Sequence, residues 1–513
     1  MTKARASETL RMQVNRSMAW TALDVGVGRF AQFAMGVIVA RIMAPQAFGV
    51  FAIALVVHAI IINVSELGVS AALIRDDVED IAASAPTVST IALGSSIVLG
   101  AFMAIGAPYF ASMLGDASAT GVIRVMALTL PLAGITAVPS ALLRRDFRMN
   151  WIFVADLANT LATLLVLVPL ALAGFGPMAL AISWVAGNCL TAVILLAYKP
   201  GRYWPGWNQS EARRLLAFGL PLAGANIVTF SILNVDYVVV GRMLGAVSLG
   251  LYVLAFNISG WPMTVIGAIV RSVSLPGFSQ LRRDGEALPE HFLMALRTVV
   301  WFSMPLCLIL GALARPLVIV IYGEKWTLAS AALIGLSVLG AARIVMELMA
   351  DFLVAVGRTR AVFLAQLPGL FALTIALVIA VPRRGIFGAG FAQALVAVGF
   401  MIPVYVYFLR GCAISTRGIA RAVVPSIAWA IAAGLGAYVV SQQFQRPILA
   451  CLVGGLAGIA IYVFGNFSVI RGFISGVRRN RQTTNLDAIQ STFEEVSGLG
   501  LRTNVIELSE DPR

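Results

Sequence analysis

Apolar stretches of roughly 20 residues recur along this chain from Ser17 to Ile470, each long enough to cross a hydrocarbon core of ~30 Å as a helix. A soluble fold cannot bury so many such runs. With 59% hydrophobic residues, 12% charged residues and a mean hydropathy of +0.90, the composition lies well outside the soluble range. The runs lack period-two alternation and are too long for strands, so they predict an all-α integral membrane protein and argue against a barrel.

Spans are predicted at about 17–40, 47–68, 85–107, 119–143, 150–173 and 177–198, then at 217–240, 247–270, 292–314, 328–356, 359–381 and 386–409. Two more, at about 418–440 and 448–470, bring the expected number to about fourteen. The organisation that follows is a basic arm (1–16), a first lobe of six spans (17–198), an interfacial connector (199–216), a second lobe of six spans (217–409), two additional helices (410–470) and a tail (471–513). The arm is expected to be cytoplasmic and not a signal peptide, since no cleavage site follows a short apolar core.

An even number of spans puts both ends on one side. Loops on that side carry most of the basic residues, among them Arg144, Arg145, Arg148, Arg282, Arg283, Arg358 and Arg360, whereas the opposite loops hold few, including Arg41, Arg242, Arg315 and Lys325. Both termini are therefore predicted to be cytoplasmic. The net charge of +13 is explained by topology, and no nucleic-acid partner is expected.

The chain repeats itself. Val39-Ala-Arg-Ile-Met-Ala-Pro-Gln-Ala-Phe-Gly-Val-Phe51 returns as Val240-Gly-Arg-Met-Leu-Gly-Ala-Val-Ser-Leu-Gly-Leu-Tyr252, with Arg41 matching Arg242, Gly49 matching Gly250 and Phe51 matching Tyr252. Ile152–Leu157 likewise resembles Val362–Leu367. Because each copy holds an even number of spans, the two have the same orientation and predict two parallel six-helix lobes around a central cavity.

Charges inside spans are costly and mark the first places to look for function. Asp24 and Arg29 lie within the first span, about 140° apart on a helix, so one is expected to face a cavity and the other a neighbour. The fifth span carries a stripe of Asp156, Asn159, Thr160 and Thr163, and the seventh carries Asn226, Thr229 and Asp236 within about 80°. Each stripe fits interhelical hydrogen bonding and cavity lining equally well. Arg343, Glu347 and Asp351, at i, i+4 and i+8 on the tenth span, fit either an internal salt bridge or a gate or ion site that changes partner. His58, in an apolar run, suits a hydrogen-bonded packing role better than a proton relay.

No phosphate-binding loop, dinucleotide fingerprint or His-Glu-x-x-His motif is present, and the four cysteines are scattered. Neither a cofactor nor a metal is expected, nor is an enzyme. A membrane-embedded polymerase or ligase would need a long outward loop with polar catalytic residues, and the predicted outward loops are short.

Several stretches resemble the Wzx-like oligosaccharide flippases, the polysaccharide transporter family. They are Arg41–Gly49, Glu66-Leu-Gly-Val-Ser-Ala-Ala-Leu-Ile-Arg75, Ala141-Leu-Leu-Arg-Arg-Asp-Phe-Arg148, Phe218-Gly-Leu-Pro221 and, most specifically, Asn234-Val-Asp-Tyr-Val-Val-Val-Gly-Arg-Met-Leu-Gly245 with Leu249-Gly-Leu-Tyr252. The predicted span number exceeds what is usual in that family and equals that of the related lipid II flippases. The resemblance implies the multidrug/oligosaccharidyl-lipid/polysaccharide exporter fold in a bacterial inner membrane. It further implies a lipid-linked (undecaprenyl-pyrophosphate) oligosaccharide as substrate, carried to the outer leaflet, with other membrane proteins of polysaccharide assembly as partners. A drug or cation antiporter of the same superfamily is the alternative. Arginine suits pyrophosphate because its fork donates paired hydrogen bonds, so Arg29 is the foremost cavity candidate, with Arg271 and Arg297 flanking the cytoplasmic mouth. Asp24, Asp156, Asp236, Glu347 and Asp351 are the expected proton or cation sites.

Overall fold

The structure, a computed structural model, describes residues 2–65, 78–198, 205–284 and 287–467, and all regular structure among them is helical. The Glu66–Arg75 stretch, part of the connector (199–204) and the tail from 468 lie outside the described residues. The first half comprises α1 (Thr2–Ile42), α2 (Pro45–Ser65), α3 (Val78–Met113), α4 (Ala119–Ala127), α5 (Thr129–Arg145), α6 (Met149–Leu172) and α7 (Pro177–Tyr198). The second comprises α8 (Gln209–Ser259), α9 (Ala268–Arg283), α10 (Leu288–Ala312), α11 (Ala314–Tyr322), α12 (Ala329–Ala355), α13 (Thr359–Val396) and α14 (Ile402–Arg410), with π turns at Met263–Gly267 and Ala397–Met401. α15 (Thr416–Ser441) and α16 (Pro447–Gly465) follow.

Twelve helices among the described residues are long and apolar enough to cross a membrane, fewer than the fourteen expected. One of them, Thr359–Arg410, has 52 residues. As a straight rod it would measure about 78 Å, more than twice the ~30 Å core. It is broken at Gly385 (φ 59°, ψ −144°), between the two spans predicted there. α8 is broken in the same way at Gly245 (φ 77°, ψ 178°), between spans predicted to end at 240 and begin at 247. Glycine is the residue that takes a positive φ without a Cβ clash, so both helices turn where the sequence places one.

Two helices extend beyond the predicted spans. Residues 2–16 continue the first helix as part of α1. Asn208 caps α8 by accepting from the Ser210 backbone N–H at 3.1 Å, and residues 209–216 are helical.

The halves meet where the repeated stretches cross, α2 against α8. A Cβ on Gly49 would overlap the Ala246 carbonyl, and one on Gly250 would overlap the Pro45 carbonyl. The matched glycines thus let two backbones touch. Around this crossing one core runs through both halves, with Ile53, Met103 and Ile123 from the first and Tyr252, Trp326 and Leu333 from the second. His58 is buried in α2 and hydrogen-bonds Thr129 at 2.7 Å, beside the Trp184 ring. That is the packing role its apolar setting suggests. α15 and α16 pack on α10 through Ala430, Ala433 and Tyr462, whose hydroxyl donates to the Trp301 carbonyl at 2.8 Å. Large apolar side chains such as Phe30, Leu165 and Phe464 stay exposed on the outer surface, as lipid-facing positions require.

Candidate functional site

Two cavities gather intramembrane charges among the described residues, one in each half. The first, about 420 Å³, lies between α1 and α6. α1 contributes Asp24, Arg29 and Gln32, and α6 contributes Phe153, Asp156, Asn159 and Thr160. Trp20 and Phe153, with ring centroids 5.5 Å apart, join the two helices at one edge. Asp24 and Arg29 both line this cavity, Arg29's long stem letting its charged head cover the angle that separates their Cα atoms.

Polar partners decide which groups are available. The Asn159 side-chain amide donates to the Thr191 hydroxyl on α7 at 3.0 Å, and the Thr163 hydroxyl donates to the Asn159 side-chain oxygen Oδ1 at 3.4 Å. The Thr160 hydroxyl donates to the Asp156 carbonyl of its own helix at 3.0 Å. Part of this stripe therefore joins helices, while Asp24, Arg29, Gln32 and Asp156 supply the charge and amide chemistry of the cavity. The charged lining is thus two carboxylates, Asp24 and Asp156, and one guanidinium, Arg29.

The second cavity, about 600 Å³, is bounded by α8, α12 and α13 and closed by Met401 and Tyr405. Asn234, Tyr237, Arg343, Glu347, Gln366 and Gln393 are its main polar lining. The Arg343 guanidinium carbon stands 5.6 Å from the centre of the Phe256 ring, a cation–π arrangement. Asp236, fully enclosed, accepts from the Tyr252 hydroxyl and from the Gln393 side-chain amide, each at 2.9 Å. Asp236 precedes the break at Gly245 and Tyr252 follows it, so this cluster ties the two arms of α8 to α13. The copies differ here: Phe51, the match of Tyr252, has no hydroxyl to donate and packs on Trp184. Tyr252→Phe removes one of two donors to a buried carboxylate. It is expected to lower stability by about 1–2 kcal/mol, read from thermal unfolding in detergent.

Arg343, Glu347 and Asp351 share the unbroken helix α12. Arg343 and Glu347 line the second cavity, and Asp351, outside that lining, accepts from the Ser274 hydroxyl of α9. Arg297 is exposed on α10 and lines neither cavity. The side chains of Asn226, Thr229 and Arg271 lie outside the described residues. Gln32, Tyr237, Gln366, Gln393 and Tyr405 line the cavities without having been singled out from the sequence. Their signal was an amide or phenol within an otherwise apolar run.

A family model described as polysaccharide biosynthesis protein matches residues 38–331. The succinoglycan biosynthesis transport protein ExoT of Rhizobium meliloti is 28% identical over 329 residues, covering 62% of this chain and 64% of that protein, so the match spans slightly under two thirds of its length. The lipopolysaccharide biosynthesis protein WzxC of Escherichia coli is 25% identical over 400 residues, covering 76% of this chain and 80% of that protein. Among solved structures, the lipid II flippase MurJ in an inward closed conformation aligns with a TM-score of 0.72 at 15% identity, over 88% of this chain and 99% of that one. An inward-facing multidrug resistance MATE family transporter of the MOP superfamily aligns with a TM-score of 0.57 at 15% identity, over 78% of this chain and 100% of that one. At such identities these two likenesses describe the fold: a multi-pass helical membrane protein built like MOP superfamily transporters.

Proposed function

This chain belongs to the polysaccharide biosynthesis protein family, and from that premise we propose that it is a flippase for a lipid-linked (undecaprenyl-pyrophosphate) oligosaccharide, moving it from the cytoplasmic to the outer leaflet of a bacterial inner membrane. The observation that carries the reading is the open cavity between α1 and α6, where Asp24, Arg29, Gln32 and Asp156 gather within apolar helices. A pyrophosphate and its sugars cannot cross hydrocarbon unaided, since burying such groups without partners costs many kcal/mol. A polar enclosure between helices removes most of that cost while the lipid tail stays in the bilayer. In this scheme Arg29 binds phosphate oxygens, and Gln32 meets hydroxyl groups.

The two halves rock against one another so that the cavities face each side of the membrane in turn. The domain limits, the cytoplasmic placement of both termini and the two lobes expected from the repeat belong to this scheme. Asp24 and Asp156 serve as the site where a proton or cation couples to the cycle, and Arg343 with Glu347 serves as a second charge pair in the other half.

The test is to delete the gene and follow lipid-linked sugars by mass spectrometry. Accumulation of an undecaprenyl-pyrophosphate oligosaccharide, together with loss of surface polysaccharide, is the expected result, and it identifies the cargo. Unchanged levels of both, in a strain without a second flippase, would discard the reading in favour of a drug or cation antiporter, to be followed by drug sensitivity.

A further inference from the structure

The repeated arginines do something their place in short loops does not suggest. Arg41, at the end of α1, donates from Nε to the Ile321 carbonyl at 2.9 Å and from its terminal nitrogen to the Val320 carbonyl. Both acceptors belong to the last turn of α11, in the other half. Arg242, its match on α8, donates to the carbonyl of Met113 at 3.1 Å, the last residue of α3 in the first half. Helix C-termini leave carbonyls without intrahelical partners and carry the negative end of the macrodipole, so each is a natural seat for a guanidinium. The exchange is reciprocal: each copy of the motif caps a helix end of the other half.

The surroundings repeat as well. Past α3 the chain turns at Gly115 (φ +96°), and past α11 it turns at Gly323 (φ +99°), with Asp116 and Glu324 next in line. A Cβ on Gly115 would overlap the Gly241 carbonyl, so this turn lies directly on the second copy. On the first copy, the Trp326 indole donates to the Ala40 carbonyl at 2.7 Å and Lys325 donates to the Arg41 carbonyl at 2.9 Å. The Trp326 ring also stands edge-on to Phe48, with centroids 5.6 Å apart. Burial, and then the Arg41 charge, hold the Lys325 ammonium below its ordinary range. Two cations thus share one corner, each seated on backbone carbonyls. All these contacts lie at the end of α1 remote from its N-terminus, and a half that swings away must break them.

We infer that Arg41 and Arg242 are a matched pair of gating residues, which hold the halves closed at the face opposite the N-terminus and must release together for the cavities to open there. The role rests on the transporter reading above, but its readout needs no transport. Ala40, fully buried, is replaced by cysteine in the full chain, and an impermeant maleimide is applied first to the outer face of spheroplasts and then to inverted vesicles, with labelling mapped by peptide mass spectrometry. Cys307, buried within the second half, reports unfolding in the same sample.

Arg41→Ala and Arg242→Ala are each expected to raise labelling of the Ala40→Cys site about fivefold from the outer face, with Cys307 unchanged and a larger rise in the double variant. Arg→Lys variants should give intermediate values, since one ammonium cannot reproduce the fork. Trp326→Phe, which keeps the ring and removes one donor, should give a smaller rise and covers the case in which an arginine variant fails to reach the membrane. Labelling that is unchanged, that rises equally with Cys307, or that rises from the inner face alone would overturn the assignment. A raised outer labelling without accumulation of lipid-linked sugar in the deletion strain would keep the gate and remove the cargo.

Discussion

Gly49→Ala and Gly250→Ala are expected to cost most of the folded protein, whereas Gly36→Ala in α1 should be harmless. A Cβ at position 49 would occupy the space of the Ala246 carbonyl, and one at 250 would lie 2.8 Å from the Gly49 nitrogen as well as against the Pro45 carbonyl. All of these obstacles are backbone. A clash with a long side chain is relieved by a change of rotamer, but here α2 and α8 themselves must part. Overpacking of this kind costs about 1–3 kcal/mol where a core can adjust, and more where it cannot. The crossing carries the core that joins both halves, so adjustment at one position propagates to its match. At Gly36 nothing lies within 4 Å of the added atom, and alanine is the better helix former. Fluorescence-detected size exclusion with a thermal ramp would rank the variants. Gly49→Ala melting with the wild type would show that the helices do not touch at this point.

The same crossing shows what a sequence of this kind makes legible and what it hides. Matched Arg41 and Arg242, Gly49 and Gly250, and Phe51 and Tyr252 mark the repeat in the bare sequence, since a duplicated contact needs its residues twice. Their purpose is invisible from one copy, because each works on the other half. Arg41 reads as a loop charge until the end of α11 comes beside it. Helix breaks at Gly245 and Gly385 fall where the predicted spans end, but an apolar run reads alike whether it continues or turns. The facing of side chains is harder still. In a soluble helix the polar face points to water and fixes the rest. In a span that is apolar all round, nothing in the period says whether Gln393 meets lipid or Asp236, or whether Asp351 meets a cavity or Ser274.

Arg29→Ala is expected to reduce surface polysaccharide at least tenfold when the variant replaces the wild-type gene at equal membrane abundance, the loss that about 1.4 kcal/mol or more of missing charge-assisted bonding produces. Two different jobs would give that outcome. Arg29 could hold phosphate oxygens, or it could only balance Asp24 and Asp156, which share its cavity. Neutralising a carboxylate separates them. If balance is the whole role, Arg29→Ala with Asp156→Asn restores it, since one charge of each sign has been removed, and export should recover. If the fork binds the headgroup, the double variant stays as low as the single one, and Arg29→Lys retains a fraction through its point charge. The second pattern is the one expected for a guanidinium that is exposed on the cavity wall. Full export from both Arg29→Ala and Arg29→Lys would remove the residue from the site and shift attention to Arg343 in the second cavity, whose guanidinium is engaged over Phe256 and would have to leave that ring to meet a phosphate.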